Sequence, residues 1–517
     1  MEMKRLIPTI MPACCLVLLF SACSEKSSYT QLIPGDASSV VAVNLQSLTE
    51  KAGISSGTPA YESLQKAFSS GKDTPLKDLL ASPDKSGIDF SKDIYIFTNS
   101  TSMNIGVVAR LSNASDWTAT LTEMNDGEKN PISQGDGFSY QLSDKSILAY
   151  TEDALLICSN ERRTPEDSLI AMAGRLIHQT EAQSITGKEA FKSMESEKGD
   201  IRFMAAPNAL QSAFKTSGYS RMLPYPYTST LTALPASCVT VGNVSFEKGK
   251  IVVDAKPLGL DEESRAFLEA AVKPYGKIEG KFDKLFPSST LMYFSANVNG
   301  SELTSFYRQQ LKSADNNQLM EALARSVNGE VTFGLLNFSL TSMPAFVIYG
   351  EMKSPDALDA LYQKKDSLGL KRTQKLVKLA DHEYMIENAA RLFRNMSLFY
   401  GYKDGRFYAT NDEMVYKTIG KESSPSLKGS SYLDNRKGTS LYSLINVDAA
   451  LQLPIAKMAA TTPAGAFLQM VGKISYISAG SNGDNGHVEI VLTDSKENSL
   501  KQLTDLMVQL SKLEFNL

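Results

Sequence analysis

Cys23 carries the clearest chemistry in this chain: a thiol at the end of a short basic and apolar leader, where a bacterial lipobox presents its acyl acceptor. Lys4 and Arg5 make the positive start, and Leu6 to Phe20 supply the apolar stretch. Phe20-Ser21-Ala22-Cys23 then occupies the processing site, with Phe20 where leucine is usual. Pro8 and Pro12 interrupt the run, which falls short of the ~20 residues of a spanning helix. Residues 1–22 are therefore expected to be a signal peptide and Cys23 the lipid anchor. A diacylglyceryl group brings at least two chains at ~0.8 kcal/mol per buried methylene, enough for lasting attachment. Ser24 offers no Asp-type inner-membrane cue, so outer-membrane residence is expected, on the periplasmic or the surface face.

The other residues suited to chemistry give weaker signals. His178, His382 and His487 are the three histidines, and none has a His or Cys neighbour at ligand spacing. No zinc site is expected from them. A serine hydrolase would set Gly-x-Ser-x-Gly on a strand-to-helix turn, and no such turn is expected. Cys158 and Cys238 lie in apolar, strand-like runs, either as buried free thiols or as a disulfide formed in an oxidising envelope. Ser481 to Gly486 reads as a hairpin turn, since its acids do not follow a calcium-loop spacing. Acid pairs such as Glu262-Glu263 do not by themselves nominate a glycosidase. The expectation is no catalytic residue, no metal and no cofactor.

One segment points instead to contact. Tyr219-Ser220-Arg221-Met222-Leu223-Pro224-Tyr225-Pro226-Tyr227 is loop-like and rich in Tyr, Arg and Met, types enriched at interface hot spots. Tyr219, Tyr225 and Tyr227 are the candidate interaction surface. Trp117, the only tryptophan, is expected in the core, and a single Trp argues weakly for a glycan platform.

These residues need a large scaffold. Removing the leader leaves about 495 residues, more than one core normally serves, so two or more domains are expected. Loss of Glu2, Lys4 and Arg5 takes the formal charge from −4 to −5. An evenly mixed, mildly acidic surface argues against nucleic acid as a partner. Ser24 to Gln31 is polar and aperiodic, a tether reaching on the order of 30 Å when extended.

The second half of the chain echoes the first. Val107-Val108-Ala109-Arg110-Leu111 through Asp116 to Leu121 runs beside Val347-Ile348-Tyr349-Gly350-Glu351 through Asp356 to Leu361 without a gap. Gly249-Lys250-Ile251-Val252-Val253 likewise matches Gly486-His487-Val488-Glu489-Ile490. The expected fold is α+β: two tandem duplicated domains over 32–275 and 282–517, each an antiparallel-rich sheet covered by helices, after a polar tether at 23–31. Lys403-Asp404-Gly405 gives the strongest hairpin signal. Asp494-Ser495-Lys496-Glu497 reads as a capping box opening the last helix, with Leu500, Leu503, Met507 and Leu510 on its buried face. Val488, Ile490 and Leu492 alternate with Glu489, as when a sheet buries one face.

The chain resembles a family of large bacterial envelope lipoproteins known only as a domain of unknown function. The resemblance rests on the Cys23 leader, on Ile33-Pro34-Gly35-Asp36-Ala37-Ser38 followed by Val43-Asn44 and Leu48, and on Lys85-Ser86-Gly87-Ile88-Asp89 leading to Asp93-Ile94-Tyr95-Ile96-Phe97. It implies an anchored envelope protein with no assigned activity and no cofactor. The function expected is therefore non-enzymatic binding or scaffolding, toward an envelope protein or a small ligand. The alternatives are capture of a glycan, peptide or lipid in a cleft between the domains, and behind that a hydrolase.

Overall fold

The computed structural model describes residues 29–63, 85–99, 104–124, 131–143, 145–160, 163–216, 234–310, 318–339, 343–365, 373–389, 396–462, 465–483 and 485–514. Cys23 and the segment from Tyr219 to Tyr227 lie outside them. The chain divides into two compact units, 1–40 with 73–192 and 41–72 with 193–517. Strand β1 (Ser39–Val43) holds one crossing point, and its alternation buries Val40 and Ala42.

In the first unit, packing begins earlier than the expected tether allows. Tyr29–Leu32 forms a 3-10 turn with Thr30 and Leu32 buried. Tyr29 Oη donates to the Asp93 carbonyl at 2.9 Å, and Gln31 Nε2 donates to that of Gln179 at 2.6 Å. The polar side chains of Tyr29 and Gln31 thus serve backbone bonding. Strands β2 (Ile94–Asn99), β3 (Asn104–Arg110), β4 (Ser133–Gln134), β5 (Ser139–Leu142), β6 (Ser146–Tyr150) and β7 (Ala154–Ser159) pair antiparallel in the order β2–β3–β7–β6–β5–β4. Helix Ala114–Met124 follows β3, and Asn113 Oδ1 accepts from the Ser115 and Asp116 amides at 2.9 and 3.3 Å. It presents Trp117 and Leu121 to a cluster with Ala109, Leu111, Tyr150 and Leu155, so Trp117 is a core residue.

The second unit carries β8 (Ile201–Ala205), β9 (Cys238–Glu247), β10 (Lys250–Gly259), β11 (Tyr275–Gly276), β12 (Met292–Asn299), β13 (Val327–Asn337) and β14 (Ala345–Met352). It continues with β15 (Lys375–Ala380), β16 (Glu383–Glu387), β17 (Leu398–Lys403), β18 (Arg406–Thr410), β19 (Leu441–Asn446), β20 (Ile474–Ser481) and β21 (Gly486–Leu492). These pair antiparallel as β8–β9–β10–β21–β20–β19–β12–β13–β14–β18–β17–β16–β15, with β11 added beside β12. The class is α+β, as the residue patterns imply. Within this run β13–β14–β18–β17–β16–β15 has the same order and connectivity as β2–β3–β7–β6–β5–β4 in the first unit, down to the helix after the second strand (Asp356–Gln363). The hairpin at Asp404-Gly405 forms with both residues at positive φ, 50° and 76°.

The compact units cut across the division expected at 276–281. Residues 193–275 fold with 282–517 because β10 and β21 pair along six residues of one sheet. Nor is 276–281 a loose connection. Glu330, 1% exposed, accepts the backbone N–H groups of Glu279, Gly280 and Lys281 at 3.1, 2.8 and 3.4 Å, which pins that stretch to β13. The last helix, Ser499–Glu514, starts later than the Asp494 signal implies. Asp494 Oδ1 instead closes a turn with the Lys496 and Glu497 amides, and Asn498 Oδ1 accepts from Leu500. The buried face shifts with it: Leu506 and Val508 are buried, while Met507 is 61% exposed.

Candidate functional site

The residues with the richest polar chemistry converge on the seam between β10 and β21. Cross-strand partners share a face, so the register Lys250↔Val491, Val252↔Glu489 and Asp254↔His487 puts two cations and two acids together. Lys250 Nζ lies 2.6 Å from Glu489 Oε1, His487 Nε2 lies 3.3 Å from the same oxygen, and His487 Nδ1 lies 2.7 Å from Asp254 Oδ1. Asn435, from the 3-10 segment Ser431–Arg436, donates to Glu489 Oε2. That segment covers this face, which is why Glu489 is only 4% exposed although strand alternation suggested an outward acid.

Electrostatics follow from this crowding. Burial opposes ionisation of Glu489, but hydrogen bonds and charge from Lys250, with further bonds from His487 and Asn435, outweigh it and hold the carboxyl below its ordinary range. Burial likewise opposes protonation of His487, and Asp254 and Glu489 together outweigh that and raise it. Both ring nitrogens of His487 are engaged, so the cluster holds a proton where it cross-links strands. Beside it, Glu197, Asn243, Asp254, Lys256 and Asn485 line a cavity of about 280 Å³. Lys256 Nζ pairs with Glu197 at 2.7 Å, and Asn243 donates to the same carboxylate at 3.2 Å.

The remaining histidines are separate. His382, at the β15–β16 turn with φ 59°, directs Nδ1 to Asp359 at 2.9 Å, and Tyr384 Oη donates to that carboxylate at 2.7 Å. Burial works against the Asp359 anion, and the bonds from His382 and Tyr384 overcome it, so its pKa is lowered. His178 ends helix Glu166–Ile177 and bonds the Asp136 carbonyl through Nε2 at 2.7 Å. Cys158 and Cys238 are both free and buried, and burial pushes the Cys158 thiol up to about 12. Gly-x-Ser-x-Gly spacing does occur, at Gly53-Ile54-Ser55-Ser56-Gly57, but Gly53 caps helix Leu45–Ala52 at φ 67°. Ser55 therefore leaves a helix and does not crown a strand-to-helix turn. Among the described residues, no group of three or more His, Cys, Asp or Glu is arranged to hold a metal ion. None of their helices is long and apolar enough to cross a membrane.

A family model described as "Domain of unknown function (DUF4836)" matches residues 29–500, nearly the whole chain. The chain belongs to that family. The DUF4836 match opens at Tyr29, in the 3-10 turn Tyr29–Leu32. No match was found among curated proteins. Among solved structures, crystal form III of TP0453 aligns over 50% of this chain and 91% of its own, at 9% identity and a TM-score of 0.28. Crystal form IV of TP0453 aligns over 44% and 79%, at 9% identity and a TM-score of 0.26. Likeness at this level carries no argument about this DUF4836 chain. The seam residues Lys250, Asp254 and Asn435 were not legible as a group beforehand. The available signal is the sequence match of Gly249–Val253 to Gly486–Ile490, which likens β10 to β21 without saying that they pair.

Proposed function

We propose that this chain is a lipid-anchored protein of the bacterial cell envelope that works by binding or scaffolding. The observation that carries the reading is the spacing at the N-terminus. A basic and apolar leader runs up to Cys23, and six residues on, Tyr29 is already bonded to the Asp93 carbonyl. On this reading Cys23 bears the acyl chains in the outer membrane, and Ser24–Ser28 is a tether of at most ~17 Å at about 3.5 Å per residue. The body is then held close to the bilayer. Its buried acid–base groups serve as cross-links: Glu489 ties β21 to Lys250, and Asp200 ties β8 to Lys51 at 2.7 Å and to the Phe246 amide at 2.7 Å. Contact with an envelope partner falls, on this reading, to Tyr219, Tyr225 and Tyr227, which lie outside the described residues.

The fold arose, on the same reading, by duplication of a half-chain unit. The shared strand order of β2–β7 and β13–β18 supports this, as do the buried Leu121 and Leu361 at matching places in the gapless sequence correspondence.

One experiment tests the function. Envelopes expressing the wild type, Cys23→Ala, or Tyr225→Ser with Tyr227→Ser are fed a fatty-acid analogue, crosslinked, and the captured partners compared. Cys23→Ala should lose the label and leave the membrane fraction, and the tyrosine pair should weaken capture while leaving both intact. A Cys23→Ala chain that still labels and fractionates with membrane refutes the anchor. Wild type that captures nothing beyond background refutes binding.

A further inference from the structure

An apolar stretch of sequence without acids stands out in the second unit, bordered by Asp448, which accepts a hydrogen bond from Ser475 within it. Residues 449–483 contain Lys457 and Lys473 and no acidic residue. At the chain's overall frequency of 57 acids in 517 residues, a window of that length holds roughly four. Within it lie two short helices, Pro454–Ala459 and Gly465–Val471, packed against each other between β19 and β20. Met458 is 72% exposed and Phe467 64%, and the flanking Lys457 and Lys473 are exposed as well. Met458 and Phe467 thus stand in water on adjoining elements, and a large exposed apolar patch is the usual mark of a contact surface.

We propose that these two helices form a membrane-contacting surface, with Met458 and Phe467 inserted at the headgroup–acyl boundary of an anionic bilayer. Three features select lipid over a protein partner. Apolar tips flanked by lysines are the composition of interfacial helices, which seat their apolar face about 5–10 Å into that boundary. The only charged residues within the window are the two lysines, which makes it locally cationic on a mature chain whose net charge is −5. The unbranched Met458 side chain adapts to a fluid acyl layer that offers no fixed pocket. The inference rests on the acyl-anchor reading, because a tether that keeps the body beside the bilayer raises its effective concentration and lets a weak surface affinity suffice.

The test uses the acylated full-length protein carrying a single added cysteine, Met458→Cys, Phe467→Cys or, as control, the exposed Glu422→Cys, each labelled with an environment-sensitive dye. Cys158 and Cys238 are buried and should stay unlabelled. Each protein is reconstituted on vesicles of phosphatidylglycerol with phosphatidylcholine, or of phosphatidylcholine alone. The expected result is blue-shifted emission at 458 and 467 on the anionic vesicles, quenched by doxyl-labelled lipid, with no shift at 422. Lys457→Glu with Lys473→Glu should abolish the dependence on phosphatidylglycerol. Vesicle flotation with dyes at 458 and 467 as wet as at 422 overturns the proposal alone. Failure to float overturns the anchor, and the proposal with it. A blue shift that grows with protein concentration without vesicles assigns the surface to a second copy of the chain, and also overturns it.

Discussion

Replacing Glu489 by Gln removes the charge at the centre of the β10–β21 seam while keeping the side chain's shape. Lys250 Nζ, 2.6 Å away, loses a charge-assisted bond, and its own side chain is 36% exposed and recovers water. The usual ~1.5–3 kcal/mol for such a bond therefore shrinks to about 1 kcal/mol. The Gln amide still offers Asn435 an oxygen, but its NH₂ then faces Lys250 and His487, at a cost of about 1 kcal/mol more. The expected loss is roughly 2 kcal/mol. Its pH dependence has a definite sign. His487 is raised in the fold, so its contribution is full below the unfolded value of ~6.5 and is lost as pH rises through the folded value. Glu489 is lowered, so its contribution is present above ~4.3 and is lost as pH falls through its folded value. The two overlap between those limits, and the cost of Glu489→Gln should be greatest at about pH 5.5 and smaller by about 0.5 kcal/mol at about pH 8.5. Amide exchange in β10 and β21, corrected for intrinsic rates, reads the local opening free energy. Pairing the variant with Lys250→Met in a double-mutant cycle isolates their coupling, expected near 1 kcal/mol. Unchanged exchange in β21, or a cost identical at the two pH values, would refute the assignment of this cluster as a charged cross-link.

Two further outcomes test the fold. Gly87 sits at φ 77°, where a Cβ would lie 2.3 Å from the Asn113 carbonyl oxygen and 2.5 Å from the Trp117 amide, so Gly87→Ala should cost about 3 kcal/mol and lower the melting transition followed by Trp117 fluorescence. A neutral substitution would mean that the turn relaxes freely. A thiol reagent should leave Cys158 and Cys238 unmodified in the native protein and titrate both on denaturation, because burial raises each thiol. Rapid native modification, or no free thiol after denaturation, would contradict their environment.

What the sequence makes legible here is local. Asp404-Gly405 announces a hairpin because the positive φ of that turn is a property of two residues. Asn113 and the apolar spacing after it place a helix and bury Trp117 for the same reason. Signals that depend on a distant partner mislead. Glu489 alternates with apolar neighbours and so reads as outward, yet Asn435 and Lys250 arrive from elsewhere and make burial tolerable. Asp494 looks like a helix cap, but the strand ending at Leu492 leaves the chain in a turn, and the helix waits for Asn498. The stretch at 276–281 has a linker's composition, yet Glu330, some fifty residues on, and Thr439, much further along, fix it through its backbone. Polar residues reveal their role through what they bond, and that is set by topology.

The proposed duplication gives the seam a way to dispose of two sheet edges. An unpaired edge strand templates association, and equivalent strands from two copies of a unit satisfy each other when they pair antiparallel. On the proposed duplication Lys250 corresponds to His487, and the observed register then has a two-fold character. Ile251↔Ile490 maps onto Val253↔Val488, while Val252↔Glu489 maps onto itself. That central pair is where the copies must differ. Two glutamates there would set like charges side by side, and two valines would leave Lys250 and His487 with no acid between them. One valine and one glutamate resolve both. A single buried carboxylate then sits at the pseudo-axis with a cation from each copy on either side, Lys250 at 2.6 Å and His487 at 3.3 Å. On the proposed duplication, divergence at one position converts a self-complementary edge into a specific, charge-balanced joint, with the seam's stability turning on the buried Glu489 and not on the more accessible Asp254.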